Sequence, residues 1–123
     1  MAFKSLRDYV NALDDLGQVR VIEGADCESE IGAITELVWE QGGPVSLFDK
    51  VKGYREGYRI ATNLMDTLPR CALALGLSAN ASKEEFLQRW KEVLTSWRPI
   101  EPKEVSEDEA PVFQNRLVGS AVD

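Results

Sequence analysis

The sequence predicts a small α/β (α+β) domain in which a mixed β-sheet of about three strands packs with about four helices. Two observations lead to this prediction. With 44% hydrophobic and 28% charged residues, the 123-residue chain has the composition of a globular domain with its own core. Apolar residues recur with the helical period in several segments, and short β-rich runs bounded by glycine or proline lie between them.

The first predicted helix runs from about Ser5 to Leu16. Ser5 can cap its N-terminus because Asp8 follows three residues later, in a capping-box arrangement. Gly17 provides the left-handed stop that often ends a helix. The β-rich residues Val19 to Ile22 then predict a first strand.

The second helix is predicted to start at Asp26, a good N-cap, and to end at Gly42-Gly43, where Pro44 prevents its continuation. Val45 to Phe48 is predicted as the second strand. A strand, a helix and a strand in this order favour a parallel pair of strands with a right-handed crossover.

The third strand is predicted from Tyr58 to Leu64, antiparallel to the second. A short helix follows from Thr67 to Leu75. The fourth helix is capped by Ser82, with Glu85 completing a capping box. Its predicted buried face has apolar residues at helical spacing, namely Phe86, Trp90, Val93, Leu94 and Trp97.

The composition changes after residue 97, and we therefore divide the chain into three parts. Residues 1–97 form the predicted N-terminal α/β domain. Residues 98–111 contain three prolines and five acidic residues and predict an extended linker. Residues 112–123 are again apolar and predict the first strand of a further domain. A linker followed by a fresh strand is typical of a sequence that continues into another domain.

Composition also excludes several classes of function. The chain has 21 acidic and 14 basic residues, so its net charge of −7 opposes nucleic-acid binding. It contains no histidine, which excludes Ser-His-Asp and Cys-His catalysis and histidine-based metal sites within the chain. No apolar run has the length of a signal peptide or a membrane span, which predicts a cytoplasmic protein.

Two cysteines are candidates for reactive groups. Cys27 lies near a helix N-terminus, where the dipole favours a thiolate. However, Glu28 and Glu30 flank it. It also continues the stripe of Ile31, Ile34 and Val38 that we predict to be buried on the second helix, where cysteine acts as a small hydrophobic residue. Cys71 lies on a short apolar helix. We predict a structural role for both, and two widely spaced cysteines do not indicate a disulfide framework.

Three other patterns each have a functional and a structural interpretation. Gly42-Gly43-Pro44 follows a helix, whereas a phosphate loop precedes one. Glu36 and Glu40 stand one turn apart, with no second acid–base group or metal-ligand set nearby. Trp90 and Trp97 share the predicted apolar face of the fourth helix, and we interpret them as core or as a docking face for a neighbouring domain.

The segment from Lys50 to Arg59 is the one locally basic stretch. It could contact an anionic ligand or an acidic partner, but a solvated hairpin is the favoured interpretation. Its basic and aromatic residues are Lys50, Lys52, Tyr54, Arg55, Tyr58 and Arg59. We accordingly predict no catalytic, cofactor-binding or metal-ligating residue in this chain.

Several short strings are informative through their order and spacing. They are Phe3-Lys4-Ser5-Leu6-Arg7-Asp8-Tyr9, Leu16-Gly17-Gln18-Val19, Glu30-Ile31-Gly32-Ala33-Ile34, Gly42-Gly43-Pro44-Val45-Ser46-Leu47-Phe48, Lys52-Gly53-Tyr54, Asn63-Leu64 and Arg70-Cys71-Ala72-Leu73-Ala74-Leu75-Gly76. This ordered set resembles the N-terminal domain of UbiD-type decarboxylases. The resemblance covers nearly the whole chain but only the first part of a much longer family protein. One departure is Cys27, because family members often have proline there.

The resemblance implies reversible, non-oxidative decarboxylation of aromatic, heteroaromatic or α,β-unsaturated carboxylic acids. It implies prenylated FMN, supplied by a flavin prenyltransferase and held with Mn²⁺ and K⁺, as the group that carries the chemistry. The family's Glu-Arg-Glu set lies in the middle domain, and assembly into homo-oligomers occurs mainly through the C-terminal domain. None of these motifs lies in residues 1–123.

The expected function is therefore that of an N-terminal structural domain packed beside the flavin-binding domain of a UbiD-like decarboxylase. By itself, the chain is expected to be inactive. The alternative is a free-standing accessory subunit or adaptor that binds a partner protein, for example by adding a strand to its sheet. A small stand-alone enzyme is the least favoured interpretation, because acid–base groups are sparse.

Overall fold

The structure is a computed structural model and describes residues 3–122. Four α-helices and three strands form within these residues. This content confirms the predicted α/β class. In chain order the elements are α1 (Leu6–Asp15), β1 (Val19–Glu23), α2 (Glu30–Glu40), β2 (Val45–Asp49), β3 (Ile60–Thr62), α3 (Leu68–Ala74) and α4 (Lys83–Ser96).

The three strands form one mixed sheet with β2 in the centre. Strand β2 runs parallel to β1, with Val19 opposite Val45, and antiparallel to β3, with Phe48 opposite Ile60. Val45 and Phe48 are fully buried, which fits the central position of this strand. The predicted parallel and antiparallel pairings are both confirmed, although β3 is shorter than predicted.

Successive residues of β2 point to opposite faces of the sheet, and each face has its own apolar cluster. Val45 packs with Tyr9 and Leu13 of α1 on one face. Phe48 packs with Ala25 and Val51 on the other, where isoleucines of α2 also contact this cluster. Helices α1 and α2 therefore lie on opposite faces of the sheet.

Serine side chains cap α1 and α4 as the sequence predicted, and the complete capping box is found at α4. The Ser5 hydroxyl accepts a hydrogen bond from the Asp8 N–H at 3.1 Å. At the start of α4, the Ser82 hydroxyl accepts from the Glu85 N–H at 3.2 Å, while the Glu85 carboxylate accepts from the Ser82 N–H at 2.7 Å. These bonds satisfy backbone donors that a helix start leaves without partners.

Helix α2 begins later than predicted, at Glu30 rather than directly after Asp26. The Asp26 carboxylate accepts hydrogen bonds from the Ser29 N–H at 2.9 Å and the Glu30 N–H at 3.3 Å. The bond from Ser29, and then that from Glu30, lower the pKa of Asp26. Asp26 thus caps an intervening turn, over residues 27–29, that precedes the helix.

The strand predicted over 112–123 does not form in the described residues. Short 3₁₀ turns occur there instead, at Pro111–Phe113 and Gly119–Ala121, after another at Glu107–Glu109 in the linker. A strand needs a neighbouring strand to satisfy its N–H and C=O groups, and the three-stranded sheet does not reach this segment. The division at residues 97 and 111 remains a prediction.

Candidate functional site

The structure contradicts the predicted burial of Cys27. This residue lies in the turn before α2, and its side chain is exposed rather than part of the buried stripe. Cys71 is partly buried in α3, and its thiol lies 3.1 Å from the Met65 carbonyl oxygen, to which it donates a weak hydrogen bond. Neither thiol is within a disulfide, and Cys71 has the structural contact that the sequence predicted.

Gly42 and Gly43 end α2, as predicted. Gly42 has a φ of 61°, a left-handed conformation that glycine adopts without strain. A Cβ on Gly43 would lie 3.0 Å from Cγ1 of Val38, so the chain turns tightly against the end of the helix. The carbonyl of Gly43 faces inward, where it accepts a hydrogen bond from Arg70.

The basic segment is largely exposed, and two of its four cations have partners. The Lys50 ammonium pairs with Glu23 at 2.9 Å, and Lys52 pairs with Glu30 at 3.5 Å. The hydrogen bond to Glu23, followed by the charge of that carboxylate, raises the pKa of Lys50. Exposed ion pairs of this kind contribute little stability. The segment connects the antiparallel strands β2 and β3 and is exposed from residue 52 to residue 59, so it is the solvated hairpin that the sequence favoured.

Arg70 is a buried cation that the sequence patterns did not single out. Its side chain is only 2% exposed, and it pairs with the Asp66 carboxylate at 3.1 Å. Its guanidinium also donates to the Gly43 carbonyl at 2.8 Å, the Asn63 carbonyl at 2.6 Å and the Thr67 hydroxyl at 2.8 Å.

These bonds join the end of α2, the end of β3 and the start of α3. We refer to this arrangement as the Arg70 cluster. Because each of the three guanidinium nitrogens contacts a protein group, the cluster organises the fold and is poorly placed to bind a substrate carboxylate. An arginine between apolar residues of a short helix was the available signal, but sequence spacing does not reveal its carbonyl partners.

Tyr9 closes the same region from α1. Its hydroxyl lies 2.9 Å from the Leu64 carbonyl oxygen and 2.9 Å from that of Arg70, so its single proton is shared between two acceptors. Burial is the main cause that raises the pKa of Tyr9 above 10.0. The tyrosine is therefore a neutral structural hydrogen-bond donor, suited to fixing α1 against the Arg70 cluster.

A cleft of about 460 Å³ lies between α1 and the open part of the sheet. Its floor is apolar, and Arg7, Asp14 and Arg59 border it. Among the described residues that line it, none is a Ser, Thr, Cys, Lys or Tyr. Among its described lining residues, the cleft therefore has no hydroxyl, thiol or amine nucleophile.

The predicted buried face of α4 is wrong for this chain. The helix has no buried residue, and only Phe86 and Val93 of its apolar face are partly covered. Arg89 holds this side of α4 to the domain by donating to the Leu75 carbonyl at 3.2 Å. The exposed residues are Leu87 at 54%, Trp90 at 46%, Leu94 at 62% and Trp97 at 68%.

We call these four residues the α4 stripe. They follow one another at intervals of three, four and three residues, so they form one continuous apolar row along the helix. Of the two interpretations of Trp90 and Trp97 that the sequence allowed, their exposure favours a docking face over a core. Helical periodicity identifies an apolar face but does not tell which surface covers it.

The fold and this surface can be compared with known proteins. The family model of the 3-octaprenyl-4-hydroxybenzoate carboxy-lyase N-terminal domain, UbiD_N, matches residues 10–90. This chain belongs to the UbiD family. The match includes every strand and extends from within α1 into α4, so it covers the Arg70 cluster and the beginning of the α4 stripe.

Curated UbiD relatives include two phenolic acid decarboxylases. The protein from Escherichia coli O157:H7 is 32% identical over 97 residues, which cover 73% of this chain and 20% of that protein. The protein from Streptomyces sp. strain D7 is 32% identical over an alignment of 130 positions, which covers 100% of this chain and 26% of that protein. The chain thus spans about a quarter or less of these relatives.

Solved structures give the same picture of the fold. The vanillic acid decarboxylase of Sedimentibacter hydroxybenzoicus in its open form has a TM-score of 0.68 and 29% identity, covering 92% of this chain and 24% of that one. Its closed form also gives a TM-score of 0.68, at 26% identity. The part of these multi-domain decarboxylases that matches this chain is therefore a small N-terminal portion of them.

A flavin phosphate and a divalent metal ion each need a particular set of protein groups. A phosphate needs converging N–H groups, whereas Gly43 directs its carbonyl at Arg70. In residues 3–122, no three His, Cys, Asp or Glu side chains converge as metal ligands would. The Gly42-Gly43 turn therefore does not fit a phosphate, and the described residues hold no such three-ligand cluster.

Each helix found between residues 3 and 122 is too short or too polar to cross a lipid bilayer.

Proposed function

We propose that this chain is the N-terminal structural domain of a decarboxylase that removes CO₂ from phenolic or related aromatic acids. The single observation that carries the proposal is the UbiD_N match over residues 10–90. The relatives in Escherichia coli and Streptomyces, both phenolic acid decarboxylases, support the substrate class. Heteroaromatic and α,β-unsaturated acids are the wider class to which we assign the reaction.

In this proposal the reacting groups lie outside residues 1–123. Prenylated FMN, Mn²⁺ and K⁺ would bind to the domains that follow in the longer protein, and a flavin prenyltransferase would supply the flavin. Two features of the chain support this arrangement. All three guanidinium nitrogens of its buried cation, Arg70, contact protein groups, and the cleft beside α1 is lined without a Ser, Thr, Cys, Lys or Tyr.

The role of the domain itself is mechanical support. The Arg70 cluster and the hydroxyl of Tyr9 join the helices to the sheet through buried and partly buried hydrogen bonds. Such bonds are lost only at a high cost in free energy, so they give a stiff unit against which a flavin-binding domain can pack. We propose that the full-length protein is a cytoplasmic homo-oligomer.

The experiment compares the full-length protein with the 123-residue chain. Both are incubated with prenylated FMN, Mn²⁺ and K⁺, and flavin retention after gel filtration and CO₂ release from vanillate and 4-hydroxybenzoate are measured. We expect the full-length protein to retain flavin and release CO₂ and the short chain to do neither. Stoichiometric flavin binding by the short chain would overturn the proposal.

An accessory subunit or adaptor is the second candidate function. The exposed α4 stripe favours it as well, because a separate protein could cover that surface. The reading frame that encodes Asp123 distinguishes the two candidates. A stop codon directly after Asp123 would favour the adaptor, whereas continuation into several hundred codons of a decarboxylase would exclude it.

A further inference from the structure

We propose that the α4 stripe is the surface on which the domain that follows in UbiD-family proteins docks. This inference rests on the proposed function, since it requires that a longer decarboxylase contain the chain. The docked surface is an apolar groove wide enough for two indole rings, with a carboxylate at its border. The occupant is thus part of the same polypeptide and not a second copy of the domain.

The first argument is the composition of the stripe. Trp90 and Trp97 stand seven residues apart, two turns along the same side of α4, with Leu87 and Leu94 beside them. Tryptophan is the residue most often found to carry binding energy in protein interfaces. A helix of a small domain normally covers its whole apolar arc, but here only the edge with Phe86 and Val93 is partly covered.

Helix α2 shows that exposed apolar residues do not by themselves make such a surface. Its Leu37 and Trp39 are 54% and 60% exposed, similar to the residues of the α4 stripe. However, they stand two residues apart and therefore lie on nearly opposite sides of the helix, since each residue turns it by about 100°. Of these two helices, only α4 presents a continuous row.

The second argument is the connection. Trp97 is the C-cap of α4, and the linker of residues 98–111 begins immediately after it. Fourteen extended residues reach at most roughly 50 Å, because each spans no more than about 3.6 Å. The linker therefore holds the following domain near the C-terminal end of the stripe, at a high effective concentration.

The third argument is charge. Lys91 borders the stripe between Leu87 and Leu94, and Arg98 follows Leu94 by one turn. Within residues 3–122, neither cation forms an ion pair, although the chain has an excess of seven negative charges. A carboxylate on the docked surface would face these two cations, which is the border chemistry that we assign to it.

The test uses two matched double variants of the full-length protein. Trp90→Gln with Leu94→Gln removes the centre of the α4 stripe, and Leu37→Gln with Trp39→Gln removes the same residue types from α2. A glutamate-specific protease cuts the linker, which contains Glu101, Glu104, Glu107 and Glu109. We measure the rate of linker cleavage, together with the melting temperature of each variant in the 123-residue chain.

We expect the α4 variant to be cleaved about tenfold faster than the unmodified protein, because losing a central tryptophan weakens docking by that factor or more. The α2 variant should be cleaved at the unmodified rate, and neither change should unfold the 123-residue chain. Equal cleavage rates for the two variants would overturn the inference.

Two further measurements distinguish the docking surface from a dimer interface and from a failure of the proposed reaction. Light scattering measures whether the 123-residue chain forms a dimer. A dimer that is lost in the α4 variant would show that a second copy of the chain occupies the stripe, and would overturn the inference. Decarboxylation by the unmodified full-length protein is measured in parallel. If the full-length enzyme is active and the two variants are cleaved at equal rates, the docking surface alone is refuted. If the enzyme is inactive and only the α4 variant is cleaved faster, the proposed reaction alone is refuted.

Discussion

Arg70 and the α4 stripe differ in opposite ways from what is usual in a small domain: a charged residue is buried, and large apolar residues are exposed. The charged side chain of Arg70 is 2% exposed inside the domain, while Trp90 and Trp97 are 46% and 68% exposed on its surface. Arginine is rarely buried unless it is paired, and large apolar patches are rarely left open in monomers. Each exception has a physical reason, and the two reasons differ.

Arg70 is buried because backbone groups around it need a donor. The carbonyls of Gly43 and Asn63 come at the ends of α2 and β3, where no further backbone N–H continues the helix or the strand. The guanidinium satisfies both and also meets Asp66, so the buried charge is paired and hydrogen-bonded. The requirement is met entirely within the domain.

The α4 stripe is exposed because nothing in the domain requires its burial. Helix α4 is positioned by its edge and by the bond from Arg89 to Leu75, and its outer surface is left available. The domain thus pairs its buried charge internally but leaves part of its apolar surface open. Substitutions in both regions test that distinction.

The largest expected effect is at Arg70. Arg70→Met should lower the free energy of unfolding by about 3–5 kcal/mol, because it leaves Asp66 without its buried partner and two carbonyls without donors. Urea denaturation followed by circular dichroism measures the change. Arg55→Met, at an exposed position, is the control and should change stability by less than about 0.5 kcal/mol. A similar small change at Arg70 would contradict the importance of the cluster.

The same Leu→Ala substitution can be made in the core of the domain and in the α4 stripe. Leu13 is 1% exposed and Leu94 is 62% exposed. Leu13→Ala should destabilise the chain by about 2–5 kcal/mol because it opens a cavity in the core. Leu94→Ala should alter its stability by no more than about 0.5 kcal/mol. Equal melting temperatures for the two variants would show that α4 is part of the core.

Tyr9→Phe should have a smaller effect, about 1–2 kcal/mol at pH 7, since it removes one donor between two buried carbonyls. The raised pKa of Tyr9 adds a dependence on pH. Its contribution is fully present below about pH 10, where tyrosine is protonated in both states. It is lost as the pH rises through the pKa of the folded state, because unfolding then releases a proton.

This prediction is checked by urea denaturation of both proteins between about pH 8 and pH 11, a range that spans the ordinary pKa of tyrosine. The stability difference between the unmodified chain and Tyr9→Phe should shrink towards the alkaline end. A difference that stayed constant or grew with pH would show that Tyr9 does not stay protonated in the folded domain.

The smallest effect is expected at the start of α4. Ser82→Ala removes the acceptor for the Glu85 N–H and should destabilise the helix by about 1 kcal/mol. Ser78→Ala, in the preceding loop, is the comparison variant. Hydrogen exchange should then show faster exchange in the first turn of α4 but not in β2. Uniform acceleration throughout the domain would mean that α4 unfolds only together with the core.

Local chemistry explains why much of the fold could be predicted from the sequence. Serine caps and the glycine at the end of α1 act over a few residues, and the structure confirms them. The predicted start of α2 was wrong because the Asp26 carboxylate can cap a turn as well as a helix. The prediction of a strand over 112–123 was wrong for the described residues, because a strand forms only where a second strand, often distant in the sequence, lies beside it.

The sequence by itself determined the α/β class, the order of the helices and strands, and the strings that resemble the UbiD family. Only the tertiary structure decided which residues are covered: it buried Arg70, exposed Cys27 and left Trp90 and Trp97 on the surface. The physical reason is range. Caps, turns and periodicity depend on neighbours a few residues away, whereas burial depends on surfaces that meet from distant parts of the chain or from another domain.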